Sequence, residues 1–153
     1  MKSKTVLRDT PLAEITLRKY EKPYDMKRRE LFKRIMLSVG LLQPGDSRDV
    51  IVDVFQSIFD SKEGLLPKEV EDEVIKNREK HKLPMLGITP SNVRRQIRRC
   101  KEMFMIERFQ GRYRVTENLT LSEVFEEKIE RFYLNSIISR VKEYFDAVSR
   151  EKA

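Results

Sequence analysis

The apolar positions of the chain fall into helical stripes divided by turn residues, with one short alternating stretch. The sharpest stripe is Val93, Ile97, Cys100 and Phe104, at steps of four, three and four. Thr89 suits an N-cap and Pro90 a first helical residue, so the spacing predicts a helix over about 89–103. At about 100° per residue its opposite face carries Ser91, Arg95, Arg98 and Glu102, with Arg94 and Arg99 on either side. Met105, Ile106 and Phe109 then alternate with charge, Gln110-Gly111 turns the chain, and Tyr113 and Val115 alternate with Arg112 and Arg114. This predicts two short strands over 105–115.

Three further helices precede that unit. Asp25 is placed to cap one that runs to about residue 41, with Leu31, Ile35, Phe32, Met36 and Val39 inward and Lys27, Arg28, Arg29, Lys33 and Arg34 outward. Ser47 is placed to cap a second, about 48–61, whose wide apolar face (Val50, Ile51, Val54, Phe55, Ile58, Phe59) makes it central to the core. Leu65-Leu66 reads as a short extended segment before a third helix, about 68–81, with a thin stripe of Val70 and Val74 among charges that read as a solvated face. Residues 82–88, with Pro84 and Gly87, form a connector. Residues 1–24 show no helical stripe; Ile15 and Leu17 alternate with Thr16 and Arg18 between Pro11 and Pro23. That segment reads either as a basic arm along a polyanion or as a flexible or partly packed terminus with solubilising lysines.

Beyond the hairpin, Thr120 and Glu123 make a capping-box pattern for a last helix over about 121–150. Phe125, Ile129 and Phe132 step by four and three; Leu134, Ile137, Val141, Tyr144 and Val148 step by three, four, three and four. The two runs are offset near Tyr133. The first packs on the domain; the second makes a coiled-coil-like seam, covered either by the same helix of a second chain or by the N-terminal helix. The chain thus divides into a basic arm and helix (1–46), a central domain (47–119) and a long C-terminal helix (120–153).

Composition narrows the chemistry. The 153 residues are 39% hydrophobic and 37% charged, enough for one domain with extensions and a heavily charged surface. One cysteine, Cys100, allows neither an intrachain disulfide nor a cysteine zinc site, and one histidine, His81, allows no His-rich metal site. Cys100 lies on an apolar stripe, as a core residue does. Glu71, Asp72 and Glu73 are adjacent and so point in different directions on a helix, which makes no carboxylate pair. No P-loop, dinucleotide-binding glycine pattern or catalytic triad is present. The expectation is a protein that is not an enzyme, holds no cofactor or metal, and works in the cytoplasm without entering a membrane.

Net charge is +7, concentrated in two places. Residues 1–42 carry 11 basic and 5 acidic groups, and residues 89–116 carry 8 and 2; the other two stretches are net acidic. Clustered positive charge suits a polyphosphate, because each neutralised phosphate releases counterions.

The succession helix, extended segment, helix, connector, basic helix, hairpin, helix resembles the winged helix-turn-helix domain of archaeal and bacterial transcription regulators. The resemblance covers about 47–119: Leu65-Leu66 matches the first short strand, 89–103 the recognition helix and 105–115 the wing. The connector is longer than the family's usual turn and the wing is short. The resemblance implies a mainly α fold with a small β-hairpin, flanked by an N-terminal helix and a long C-terminal one. It implies a homodimer, through Leu134, Ile137, Val141, Tyr144 and Val148, on double-stranded DNA. The recognition helix would sit in the major groove with Ser91, Asn92, Arg94, Arg95, Arg98 and Arg99 as contacts, Asn92 suiting adenine and Arg95 guanine. Arg108, Arg112 and Arg114 would meet phosphates from the wing. Two other functions fit the same residues: a protein-interaction or assembly module on this scaffold, and a non-specific DNA or RNA binder.

Overall fold

The computed structural model describes residues 9–152, a mainly helical chain with one small two-stranded antiparallel sheet. In order come α1 (Arg28–Ser38), α2 (Val50–Asp60), α3 (Pro67–Lys80), α4 (Pro90–Glu102), β1 (Ile106–Phe109) and β2 (Arg112–Val115). A 3-10 turn (Thr116–Asn118) leads into a long helix, α5, built of an α-helical Leu121–Val124, a π-helical Phe125–Leu134 and an α-helical Asn135–Arg150. Among the described residues no helix is long and apolar enough to cross a membrane.

α2 is the centre. Residues 50 to 56 of α2 are all buried, so the helix is covered around its whole circumference. α1 packs on it through Phe32 and Met36, α3 through Val70 and Val74, and α4 through Val93, Ile97 and Cys100. The stripe read on α4 is therefore a core stripe. Burial pushes the Cys100 thiol up to about 12, against a small opposing pull from the Arg99 charge.

Both N-terminal helices start later than their sequence signals. Asp25 lies at φ 60°, in the left-handed region, so it cannot lead into α1, which begins after Lys27. α2 begins after Asp49 rather than Ser47, and the Asp49 side chain makes no cap. Its carboxylate faces inward instead. Arg78 of α3, 1% exposed, donates to Asp49 Oδ1 (3.0 Å) and Asp53 Oδ2 (2.7 Å). Arg29 of α1 donates to Asp53 Oδ1 (2.6 Å) and Asp49 Oδ2 (3.1 Å). Asn77 adds a bond to Asp53, and Arg78 Nε reaches the Pro84 carbonyl (2.8 Å). Burial alone would lower the Arg78 pKa; its bonds to Asp53 and Asp49 outweigh that and raise it. The charges of α1 and α3 that read as wet faces thus include a buried network joining three helices to the connector.

The described part of the N-terminal arm packs on the domain. Arg18 donates its backbone N–H to Ser38 O (2.9 Å) and Nη1 to Leu37 O (2.9 Å), capping the last carbonyls of α1. Gly40 must be glycine there: it lies at φ +78°, and a Cβ would stand 2.8 Å from Thr16 Cβ. Lys2, Lys4 and Arg8, on which the polyanion reading of the arm partly rested, lie outside the described residues.

The long helix corrects its own sequence pattern. Its capping box forms: Glu123 N–H donates to Thr120 Oγ1 (3.2 Å), and Thr120 N–H to Glu123 Oε1 (3.1 Å). The residues that face the domain are Val124 and Ile129, five apart and both buried, with Tyr133 and Leu134 half-buried. Of the residues expected inward on an α-helical period, Phe125 is 36% exposed, and Phe132, which touches the domain through the Phe104 ring, is 62% exposed. The cause is the π winding, which takes roughly one extra residue per turn. Over ten residues that lag is roughly half a turn, and it absorbs the offset between the two apolar runs. The later seam therefore continues the domain-facing side. It is not folded back on α1: no residue of Asn135–Arg150 is buried.

Candidate functional site

α4 begins as its sequence predicts. Thr89 Oγ1 accepts the Asn92 N–H (3.3 Å) and Pro90 opens the first turn. The connector holds that end in place. Gly87, at φ +77°, lies close enough that a Cβ would stand 3.1 Å from Asn92 Nδ2 and 3.2 Å from Val50 Cγ2. Asn92 Nδ2 donates to the Gly87 carbonyl (2.6 Å), while its Oδ1 accepts from Gln96 (3.1 Å). Pro84, in the same connector, is tied to Arg78. The buried ion network thereby fixes the segment from which α4 starts.

The other end of α4 closes with a Schellman pattern. Met105 N–H donates to Cys100 O (3.1 Å) and Phe104 N–H to Lys101 O (3.0 Å), with Phe104 at φ 65°. The Phe104 ring packs edge-on against Tyr133 and Phe132 of α5, and its carbonyl accepts from Thr116 Oγ1 (2.6 Å). One residue thus joins α4, the hairpin and the long helix.

The hairpin pairs Ile106 with Val115 and Phe109 with Arg112, around Gln110 and Gly111 at positive φ, as that dipeptide predicts. Leu65 and Tyr113 exchange backbone hydrogen bonds (3.0 and 2.8 Å), so the segment before α3 lies against the sheet as one extra rung.

The predicted contact residues divide into two sets. Ser91, Arg94, Arg95 and Arg98 are exposed on one side of α4, and Arg108 is exposed on the hairpin. Arg94 forms a 3.6 Å ion pair with Glu71. Among the described residues Arg95 and Arg98 have no side-chain partner; Arg108 only lies over the Tyr113 ring, at 5.7 Å. Asn92 and Arg99 face the protein: Arg99 donates to Gln96 Oε1 (2.8 Å) and to the Leu41 carbonyl (2.7 Å). Arg112 is bonded to Glu69 Oε1 (3.1 Å) and Gly64 O (3.3 Å). Arg114 is bonded to Glu107 Oε2 (2.7 Å) and stacks on Phe109 with its guanidinium 3.8 Å from the ring centre. Register separates them further, since Arg112 and Arg114 share a sheet face with Glu107 and Phe109 while Arg108 faces with Tyr113.

Sequence reasoning missed Arg48. It lines a cleft of about 390 Å³ between the α1–α2 loop and α4, together with Arg95 and Arg99. Its position at the start of an expected helix was the only local signal, and only the packing of α2 on α4 brings it to that face.

The predicted seam residues Val141, Tyr144 and Val148 are 48%, 69% and 70% exposed, whereas Leu134 and Ile137 are half-buried. Phe145, 69% exposed, belongs to the same side and was not anticipated. No group of three or more His, Cys, Asp or Glu that could hold a metal occurs among the described residues. Comparison with protein-family models, curated proteins and solved structures finds no match.

Proposed function

We propose that this chain is a cytoplasmic, homodimeric regulator that binds double-stranded DNA through a winged helix-turn-helix domain. The observation that carries the reading is the asymmetry of α4. One side is fixed in the core through Val93, Ile97 and Cys100; the other presents Ser91, Arg94, Arg95 and Arg98 to solvent, with Arg95 and Arg98 unengaged among the described residues. A rigid helix with open guanidinium groups suits the major groove, where arginine pairs bidentately with guanine. The Leu65–Tyr113 rung supports the winged arrangement, and Arg108 gives the wing a phosphate contact. Asn92, Arg99, Arg112 and Arg114 act here as braces that hold the contact surface in shape. The exposed seam of α5 supports pairing with a second copy.

Selection of bound sequences from random duplexes, at two salt concentrations, tests this. A palindrome with half-sites about one helical turn apart is expected. If the exposed Arg94, Arg95, Arg98 and Arg108 each neutralise one phosphate, Arg94 leaving Glu71 to do so, the log–log salt slope is roughly −3.6 per protomer, and twice that for a dimer. Arg95→Ala with Arg98→Ala should abolish enrichment while the fold persists. A slope near zero, or enrichment that survives both substitutions, overturns the reading.

A further inference from the structure

We infer that the cleft between the α1–α2 loop and α4 is a phosphate-binding site. The phosphate is either a backbone group of nucleic acid lying on α4 or that of a free small molecule; the first case rests on the duplex-binding reading of α4. Three arginines, Arg48, Arg95 and Arg99, line this one concavity, against a single acidic residue, Asp46. Asp46 Oδ1 is engaged by the Arg48 backbone N–H (2.9 Å). The Arg48 and Arg95 side chains have no partner among the described residues.

Three like charges around one hollow repel each other unless an anion joins them. The excess of two positive charges matches a free phosphate monoester, which carries about −1.5 to −2 at neutral pH, and a backbone phosphodiester, with one negative charge, offsets half of it. The walls are set in advance. Arg99 is held by Leu41 O and Gln96 Oε1, and keeps three of its five N–H donors for a ligand. Gln96 is itself tied to Asn92, and Asn92 to Gly87. The planar Arg99 guanidinium fixed in this way suits bidentate recognition of phosphate oxygens, and the unengaged Arg48 and Arg95 are free to close on the same anion. The volume, about 390 Å³, also admits the sugar to which a phosphate is attached.

The test uses the full chain and two probes. Inorganic phosphate is titrated at constant ionic strength, exchanged against chloride, with the arginine Nε–H resonances observed by NMR. Saturable shifts at Arg48, Arg95 and Arg99 are expected, weakened at least tenfold in Arg48→Gln, largely restored in Arg48→Lys, and unaltered in the distant Lys76→Gln. The second probe is a 20-base-pair duplex, whose salt slope should become shallower by about 0.9 per site in Arg48→Gln if a backbone phosphate sits in the cleft. Saturable phosphate binding without any duplex binding would sink the reading of α4 and keep the cleft as a site for a free phosphorylated molecule. Duplex binding with an unchanged slope in Arg48→Gln, and phosphate shifts that never saturate, would overturn the cleft and leave the reading of α4 standing.

Discussion

Replacing Arg78 with Met tests whether the charges of α3 are a wet surface or part of the core. The Arg78 side chain is 2% exposed and its partner Asp53 fully buried. The substitution removes donors to Asp49, Asp53 and the Pro84 carbonyl and keeps a side chain of similar length. Breaking a buried ion pair by removing one partner costs roughly 3–5 kcal/mol. Here Arg29 and Asn77 remain on Asp53, so the lower end applies, about 3 kcal/mol. With a urea dependence of about 2 kcal/mol/M, the unfolding midpoint should fall by about 1.5 M. Asp53→Asn combined with Arg78→Met should cost less than the two singly, with a coupling of about 1–2 kcal/mol. Amide exchange in residues 82–88 should quicken, since Pro84 loses its donor. A midpoint shift below about 0.3 M, the scale of an ordinary surface substitution, would refute the burial and the network together.

The Cys100 thiol holds its proton to about pH 12 when folded, against 9.0 otherwise, so its contribution is intact below pH 9 and is lost as pH rises from 9 towards 12. At pH 10 the loss is about 1.4 kcal/mol, read as the difference in stability between the native chain and Cys100→Ala across pH 8–10; parallel curves would contradict it. Gly87→Ala places a Cβ in the left-handed region and against Asn92 and Val50, and should cost roughly 1–2 kcal/mol by urea unfolding. An unchanged midpoint would mean that the connector does not constrain α4. Phe145→Glu should convert a dimer into monomers with unaltered helix content by analytical ultracentrifugation; a wild-type monomer at tens of micromolar removes the case for pairing through α5.

Local pattern was legible wherever the relevant spacing was local. The α4 stripe, the Thr89 cap, the Gln110-Gly111 turn and the Thr120–Glu123 box all stand within a few residues of each other, and each appears where the sequence places it. The network of Arg29, Asp49, Asp53 and Arg78 was not legible. Its bonded partners lie 20 to 29 residues apart on separate elements and resemble, one by one, any charged surface residue. The same limit applies to Arg99, Arg112 and Arg114, whose charge was plain but whose partners, Leu41, Glu69 and Glu107, depend on packing and strand register. Phe125 and Phe132 are more exposed than their spacing implies for another reason: the backbone there winds more slowly than about 3.6 residues per turn, although Phe132 still meets the Phe104 ring.

The π-helical stretch has a consequence for how such a chain can change. The heading of residues 135–150 relative to α4 is stored as a number of residues between the two. Deleting one residue from 125–134 would swing everything beyond it by roughly 80°, the turn per residue of a π winding, and draw it in. If two chains join along that helix, the mutual angle and separation of their α4 surfaces become a property of this count. Single-residue insertions and deletions there would then retune the spacing of the two contact surfaces in discrete steps, leaving every arginine of the contact surface untouched.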